Sequence, residues 1–207
     1  MISLCISVSK PLSVRGFSSP VTTALQRVPQ WPADPAQRRA HRQNLAHSML
    51  GYLLDRSLCS DDFSPDPSGK PQLRDASCHA SWSYSGPFVF LALSFEQPLG
   101  VDIEVSRVIP EAPALLARYV DPPDGSRRDL CDIELASVEF LRWWTRMEAS
   151  SKAAGCRMVD VLDHPSVRSF DPELLTPVGM HGELIGAIAS PDALSAKPTA
   201  SPLLETP

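Results

Sequence analysis

Gly100-Val101-Asp102-Ile103-Glu104 and Trp144-Thr145-Arg146-Met147-Glu148-Ala149-Ser150-Ser151-Lys152-Ala153-Ala154-Gly155 are the two stretches whose reading decides the fold. In extended backbone alternate side chains share a face, so Asp102 and Glu104 point one way while Val101 and Ile103 enter a core. In the second stretch Trp144, Glu148 and Lys152 recur every four residues and line one stripe of a helix. Docking that stripe on the strand brings three carboxylates up to one lysine. Such a donor set suits a hard divalent cation, magnesium above all, which commonly keeps water and phosphate oxygens in its shell. Taken singly, each piece has an ordinary reading: an acidic strand face is solvated, and a Glu–Lys pair at i,i+4 adds a few tenths of a kcal/mol to a helix. Their joint occurrence, with Gly100 ahead of one and Trp144 ahead of the other, carries the chemistry.

Working outward, Asp34-Pro35 reads as an N-cap with proline at the first helical position. The helix it starts runs to about Asp55, with Leu45, Met49, Tyr52 and Leu53 on its apolar face. Ahead of it, Ile2 to Val8 reads as a strand followed by a proline-spaced stretch. Asp61 to Pro71 reads as a loop, and Ala80 to Tyr84 and Phe88 to Phe95 as strands turning at Ser85-Gly86-Pro87. The second half restarts with the strand Leu99 to Val105. A proline-punctuated loop surrounds the apolar piece Leu115 to Val120, a helix runs from about Cys131 to Ala154, and a strand spans Glu183 to Ala189. The segment His181 to Ile188 faintly echoes Ser85 to Ala92, a weak sign of duplication. Residues 191–207, mostly Ala, Ser, Pro and Thr, are expected to be disordered. The class is α+β.

Bulk properties narrow the function classes. The 207 residues suffice for one sizeable core or two small ones. Cys5, Cys59, Cys78, Cys131 and Cys156 are scattered, with neither C-x-x-C nor a zinc spacing, which points to reduced thiols. The opening Met1 to Val8 is short, lacks a preceding basic residue and meets Lys10-Pro11 early, unlike a signal peptide. No apolar run approaches membrane-spanning length, so a soluble cytoplasmic protein is expected. Net charge is −5, and dividing the chain before Leu99 leaves +2 in the first part and −7 in the second. That split gives no reason to expect nucleic acid; it suits a polyanion held by the first part and a metal by the second.

The two motifs together resemble the 4'-phosphopantetheinyl transferases of the larger, surfactin-synthetase-activating type. That family carries a G-[VI]-D-[IV]-E strand, then W-[ST]-x-K-E-[AS]-x-x-K opening into a glycine, and an upstream G-K-P, here Gly69-Lys70-Pro71. Ser83-Tyr84-Ser85-Gly86 is similar to its S-H-[ST] segment. The resemblance covers roughly Asp34 to Ser190. It implies a pseudo-dimer of two similar lobes, each a small antiparallel sheet on a long helix, with residues 1–98 on the nucleotide side, residues 99–190 on the metal and catalytic side, and the active site between them. It implies magnesium held by Asp102, Glu104 and Glu148, and coenzyme A held with Arg42, Lys70, Ser83 and Tyr84. The implied reaction moves phosphopantetheine from coenzyme A to a serine of an acyl or peptidyl carrier protein, releasing 3',5'-ADP, in fatty-acid or natural-product biosynthesis. Glu148, directly or through water, is the implied base, and Lys152 stabilises the phosphate charge that builds up. A monomer is expected, because two fused lobes complete the site.

Two residues depart from the family pattern. Met147 stands where lysine is usual, about a hundred degrees round the helix from Glu148. Tyr84 stands where histidine is usual; its phenol can donate to phosphate but carries no positive charge at neutral pH, so weaker coenzyme A binding is expected. Trp144 is read as packing that positions Glu148. The docking patch for a carrier is expected to be apolar and edged with arginines, with Arg107, Arg118, Arg127 and Arg128 as candidates. Two alternatives stand beside the transferase. One is a non-catalytic member that binds coenzyme A or carrier protein without turnover. The other is a magnesium-dependent hydrolase of a small nucleotide, for which the sequence offers no histidine or aspartate group to position water.

Overall fold

The computed structural model describes residues 7–8, 20–65, 69–120, 132–158, 173–175 and 184–190. Within them the chain forms β1 (Ser7–Val8), β2 (Thr22–Arg27), α1 (Pro35–Leu53), β3 (Phe63–Pro65), β4 (Pro71–Leu73), β5 (His79–Ser85), β6 (Phe88–Ser94), β7 (Gly100–Val105), α2 (Ala112–Tyr119), α3 (Ile133–Ala154), β8 (Glu173–Leu175) and β9 (Leu184–Ala189). One antiparallel sheet has the order β1-β2-β6-β5, a second β7-β9-β8, and β3 and β4 pair as a separate hairpin. The class is α+β, as expected. The tail 191–207, Arg127, Arg128 and most of the leading strand Ile2 to Val8 lie outside the described residues, as do Cys131 and Glu183 at the predicted element ends.

β6 is buried along its whole length, which is why Phe88 to Leu93 is a nearly unbroken apolar run. Its one face, with Val21 and Leu25, meets Leu99, Val101, Ile103, Leu184 and Ile188 of the other sheet in one core. Its other face packs Val89, Leu91 and Leu93 against Leu45, Met49 and Leu50 of α1. Helix α1 begins where expected, with Asp34 Oδ1 accepting from Gln37 N at 2.8 Å and proline at its start. Its apolar face is rotated from the expected one. Leu50 is fully buried while Tyr52 is 64 % exposed, because Tyr52 lies beyond the edge of the arc centred on Ala46, Met49 and Leu53.

Three further expectations are corrected. The proline-spaced stretch contains β2, which pairs with β6 from Thr22↔Leu93 to Arg27↔Phe88. Its Thr-Thr-Ala-Leu-Gln-Arg sequence has no apolar alternation, so the partner strand makes it a strand. Within Asp61 to Pro71, read as a loop, Phe63–Pro65 is a strand that pairs with Pro71–Leu73, with Phe63 opposite Leu73, both buried. The apolar piece Leu115 to Val120 belongs to a helix, α2, which packs Ala112 and Leu116 against Ala136 and Phe140 of α3.

Helix α3 starts at Asp132, whose Oδ1 accepts from Glu134 N and Leu135 N at 2.8 and 3.1 Å. It ends at Gly155, left-handed at φ 64°, a conformation that costs glycine nothing sterically. Its last turns lie on β7 and β9 through small side chains, Ala149, Ala153, Ala187 and Ala189. Gly100 explains the close approach. A Cβ there would collide with the backbone of Ala149 and Ala153 and come within 2.9 Å of Lys152 Cβ.

Candidate functional site

The strand β5 reads Ser81-Trp82-Ser83-Tyr84-Ser85, and the period of two splits it into two faces. The serines turn toward β7. Ser81 Oγ accepts from Val101 N at 3.1 Å and Ser85 Oγ from Val105 N at 2.8 Å. Ser83 Oγ donates to Asp102 Oδ1 at 2.7 Å, and Ser85 Oγ to Glu104 Oε2 at 2.8 Å. This comb of hydroxyls joins the two sheets and orients both carboxylates of β7. Val101 and Ile103 fill the core between the sheets, so the alternation read in the sequence holds.

From the other side comes α3. Lys152 Nζ donates to Asp102 Oδ1 at 2.7 Å and to Val101 O at 3.1 Å, and stands 3.9 Å from Glu148 Oε2. Asp102 is almost fully enclosed; Glu148 is one quarter exposed. Burial raises the pKa of Asp102 above the usual aspartate value, and Lys152 and Ser83 only partly offset it. Burial likewise raises Glu148, opposed by Lys152 and reinforced by the charges of Asp102 and Glu104. The three carboxylates therefore feel one another, with an ammonium between two of them. Glu104 has its own cation, Arg107, at 2.6 Å.

These donors suit a hard cation in chemistry, and the Lys152 ammonium marks a place where positive charge is held between Asp102 and Glu148. Among the described residues no three His, Cys, Asp or Glu side chains stand close enough together to hold a metal ion. Lys152 and Arg107 each draw one carboxylate of β7 to themselves.

The aromatic face of β5 lines a different cavity, of about 770 Å³, walled by Arg38, Arg39, Arg42, Phe63, Trp82 and Tyr84 among others. The Arg42 guanidinium lies between two rings, 5.2 Å from the centre of Trp31 and 5.4 Å from that of Tyr84, a favourable cation–π arrangement. Tyr84 donates to Arg42 O at 2.8 Å, and burial pushes its phenol well above the ordinary value. Arg42 Nε is buried and has no hydrogen-bond partner among the described residues. Arg38 instead binds Pro32 O and Ala33 O, each at 3.0 Å. A smaller cavity of about 370 Å³, lined by Lys70, Glu148, Ser151, Lys152 and Cys156, shares Gly69, Pro71 and Trp82 with the first. Arginines thus line one cavity, and Glu148 with Lys152 line its neighbour.

The predicted residues fall into two groups. Lys152 joins Asp102 and Glu148, with Ser83 beside them rather than on the Tyr84 face, while Glu104 pairs with Arg107 beside another cavity. Arg42 and Tyr84 meet in the arginine-lined cavity. Lys70 sits between, its Nζ donating to Leu99 O at 2.7 Å and Lys152 O at 3.1 Å, so it ties the end of α3 to the start of β7. Met147 is buried, away from Glu148. Trp144 packs with Phe140 and Trp143, and lines a cavity beside Glu104 and Arg107. Sequence reading missed the roles of Ser81 and Ser85 and of Trp31. The Ser-x-Ser-x-Ser alternation was the available signal for the first two, whereas Trp31 reaches Gly86 O, at 2.7 Å, from a loop.

No helix of the described residues is long and apolar enough to cross a membrane. No family model matches the chain. It is similar to a protein of Synechocystis sp. described as "Putative 4'-phosphopantetheinyl transferase", with 30% identity over 110 residues, 52% of this chain. The chain covers 45% of that relative's length. The α+β chain, with its two acidic motifs meeting at one lysine, is thus a distant relative of a protein carrying the phosphopantetheinyl transferase name.

Proposed function

We propose that the protein transfers 4'-phosphopantetheine from coenzyme A to a serine hydroxyl of an acyl or peptidyl carrier protein, leaving 3',5'-ADP. The observation that carries this reading is a pair of neighbouring cavities that share Gly69, Pro71 and Trp82: one has Arg42 held between two rings, and the other is lined by Glu148 and by Lys152, which bonds Asp102. A ligand with phosphates at two places along its length suits such a pair. The distant relative points the same way.

In this reading Arg42, with an unpartnered Nε, and Tyr84 bind the nucleotide phosphate. Glu148 has a raised pKa and is partly open to the cleft, so it takes the proton from the attacking serine at the operating pH. The serine oxygen forms the new bond to the β-phosphorus as the bridging oxygen leaves with the 3',5'-ADP. Lys152 is positioned to turn from Asp102 to the phosphate oxygens and stabilise the charge that develops there. Asp102, Glu104 and Glu148 would hold magnesium, which supplies further neutralisation of the pyrophosphate. The two halves, each a sheet with a long helix, are read as the lobes of a pseudo-dimer that form the cleft between them.

Intact mass of apo carrier proteins incubated with the protein, coenzyme A and magnesium tests the reading. A phosphopantetheine mass gain is expected, reduced at least about 100-fold in rate by Glu148→Ala. Arg42→Ala should raise the KM for coenzyme A about tenfold with a smaller change in kcat. No gain on any carrier class, with coenzyme A bound, would favour a binding protein without turnover.

A further inference from the structure

Trp31 lies in the irregular segment between β2 and α1, and its ring is fixed by contacts other than Arg42. Its Nε1 donates to Gly86 O, in the turn between β5 and β6, at 2.7 Å. Val28 N donates to Pro87 O of the same turn at 2.6 Å, so the segment is tied there twice. From α1, Arg38 Nε and Nη2 donate to Pro32 O and Ala33 O and grip the chain just after Trp31. The His41 ring meets the indole edge-on, 5.6 Å between centres.

Arg42 is held in a different way. Its Cζ lies over the Trp31 ring and over the Tyr84 ring. None of the ion pairs among the described residues includes it. Aromatic faces attract a guanidinium without neutralising it, so its charge stays available to an anion in the cavity it lines. The geometry points to Trp31 as a positioning residue, which holds the Arg42 guanidinium at the cavity wall where a phosphate can reach it. This rests on the reading of that cavity as the seat of the nucleotide phosphate. Trp31 acts through Arg42 and not by touching the ligand, and Arg38, which also lines the cavity, serves to anchor the segment that carries Trp31.

Binding of 3',5'-ADP to the full chain, measured by titration calorimetry over a double-mutant cycle, tests this. Trp31→Ala should weaken binding by about two- to fivefold, the size of one cation–π contact, and should raise the KM for coenzyme A with a smaller change in kcat. In the Arg42→Ala background the same substitution should change little, because the residue it positions is gone. Trp31→Phe keeps a ring but leaves Gly86 O without its donor, so it should fall between the parent and Trp31→Ala, and it carries the cycle if the alanine variant does not fold. Equal weakening in both backgrounds overturns the inference, as do unchanged binding by Trp31→Ala and an unaltered protein that binds no 3',5'-ADP. If the cycle shows no coupling while carriers still gain phosphopantetheine, the inference fails and the transferase reading stands. If coupling is found but no carrier is modified, the transferase reading fails and Trp31 keeps its role.

Discussion

At the scale of single residues, His47 shows what burial does to a group that the motifs ignore. It is 3 % exposed, stacked on Phe63 at 3.9 Å between ring centres, and its Nε2 has no hydrogen-bond partner among the described residues. Burial lowers its pKa below the ordinary imidazole value, and the charge of Asp62 opposes this only in part. The unfolded chain therefore takes up a proton that the folded one resists. Stability is fully present above the unfolded value of about 6.5 and falls as pH drops through the lowered folded value. We expect His47→Leu to remove that loss. Urea unfolding at about pH 7.5 and about pH 5.5 should show a steeper decline for the unaltered protein than for the variant, and equal declines would refute the assignment. Ser83 teaches a related lesson. Its hydroxyl was expected near a nucleotide phosphate with Tyr84, but neighbours on a strand face opposite ways, and only the position of β7 shows that Ser83 belongs to Asp102.

At the scale of elements, the helix α3 was legible almost to its ends. A cap at Asp132, a stripe of Trp144, Glu148 and Lys152, and Gly155 as a stop are all local signals. β7 was equally clear, since its alternation of core and acid is a property of the strand alone. How the two meet was not written in either. Their contact depends on Gly100, where any Cβ would collide with the backbone of Ala149 and Ala153. Gly100→Ala is therefore expected to force α3 away from β7, with a loss of about 1–3 kcal/mol or more from overpacking. Thermal unfolding measures the loss, and a variant as stable as the parent would show that the helix can shift freely. β2 and the β3–β4 hairpin mark the opposite limit. Thr22 to Arg27 is a strand because β6 supplies its hydrogen bonds, and Phe63 to Pro65 because Leu73 and α1 cover Phe63.

Across the whole molecule, the core that joins Leu25, Phe88 and Phe90 to Val101, Ile103 and Ile188 draws on both sheets, and the serine comb of β5 bonds directly to β7. Neither half can be exposed without opening this shared core. A single cooperative transition is expected. Tryptophan fluorescence, with Trp31 and Trp82 in one half and Trp143 and Trp144 in the other, should coincide with far-ultraviolet circular dichroism during denaturation. Two separated transitions would show halves that fold independently. The sequence by itself determined which side chains share a face, where the long helices start and stop, and that three carboxylates and a lysine were available for one site, because periodicity and capping act over a few neighbouring residues. Tertiary structure alone decided that Ser81, Ser83 and Ser85 link the sheets and that Arg42 lies between Trp31 and Tyr84, with Trp31 tied to Gly86. Those contacts join segments as much as 55 residues apart, and no local pattern specifies which distant partner a polar side chain will meet once the apolar faces have packed.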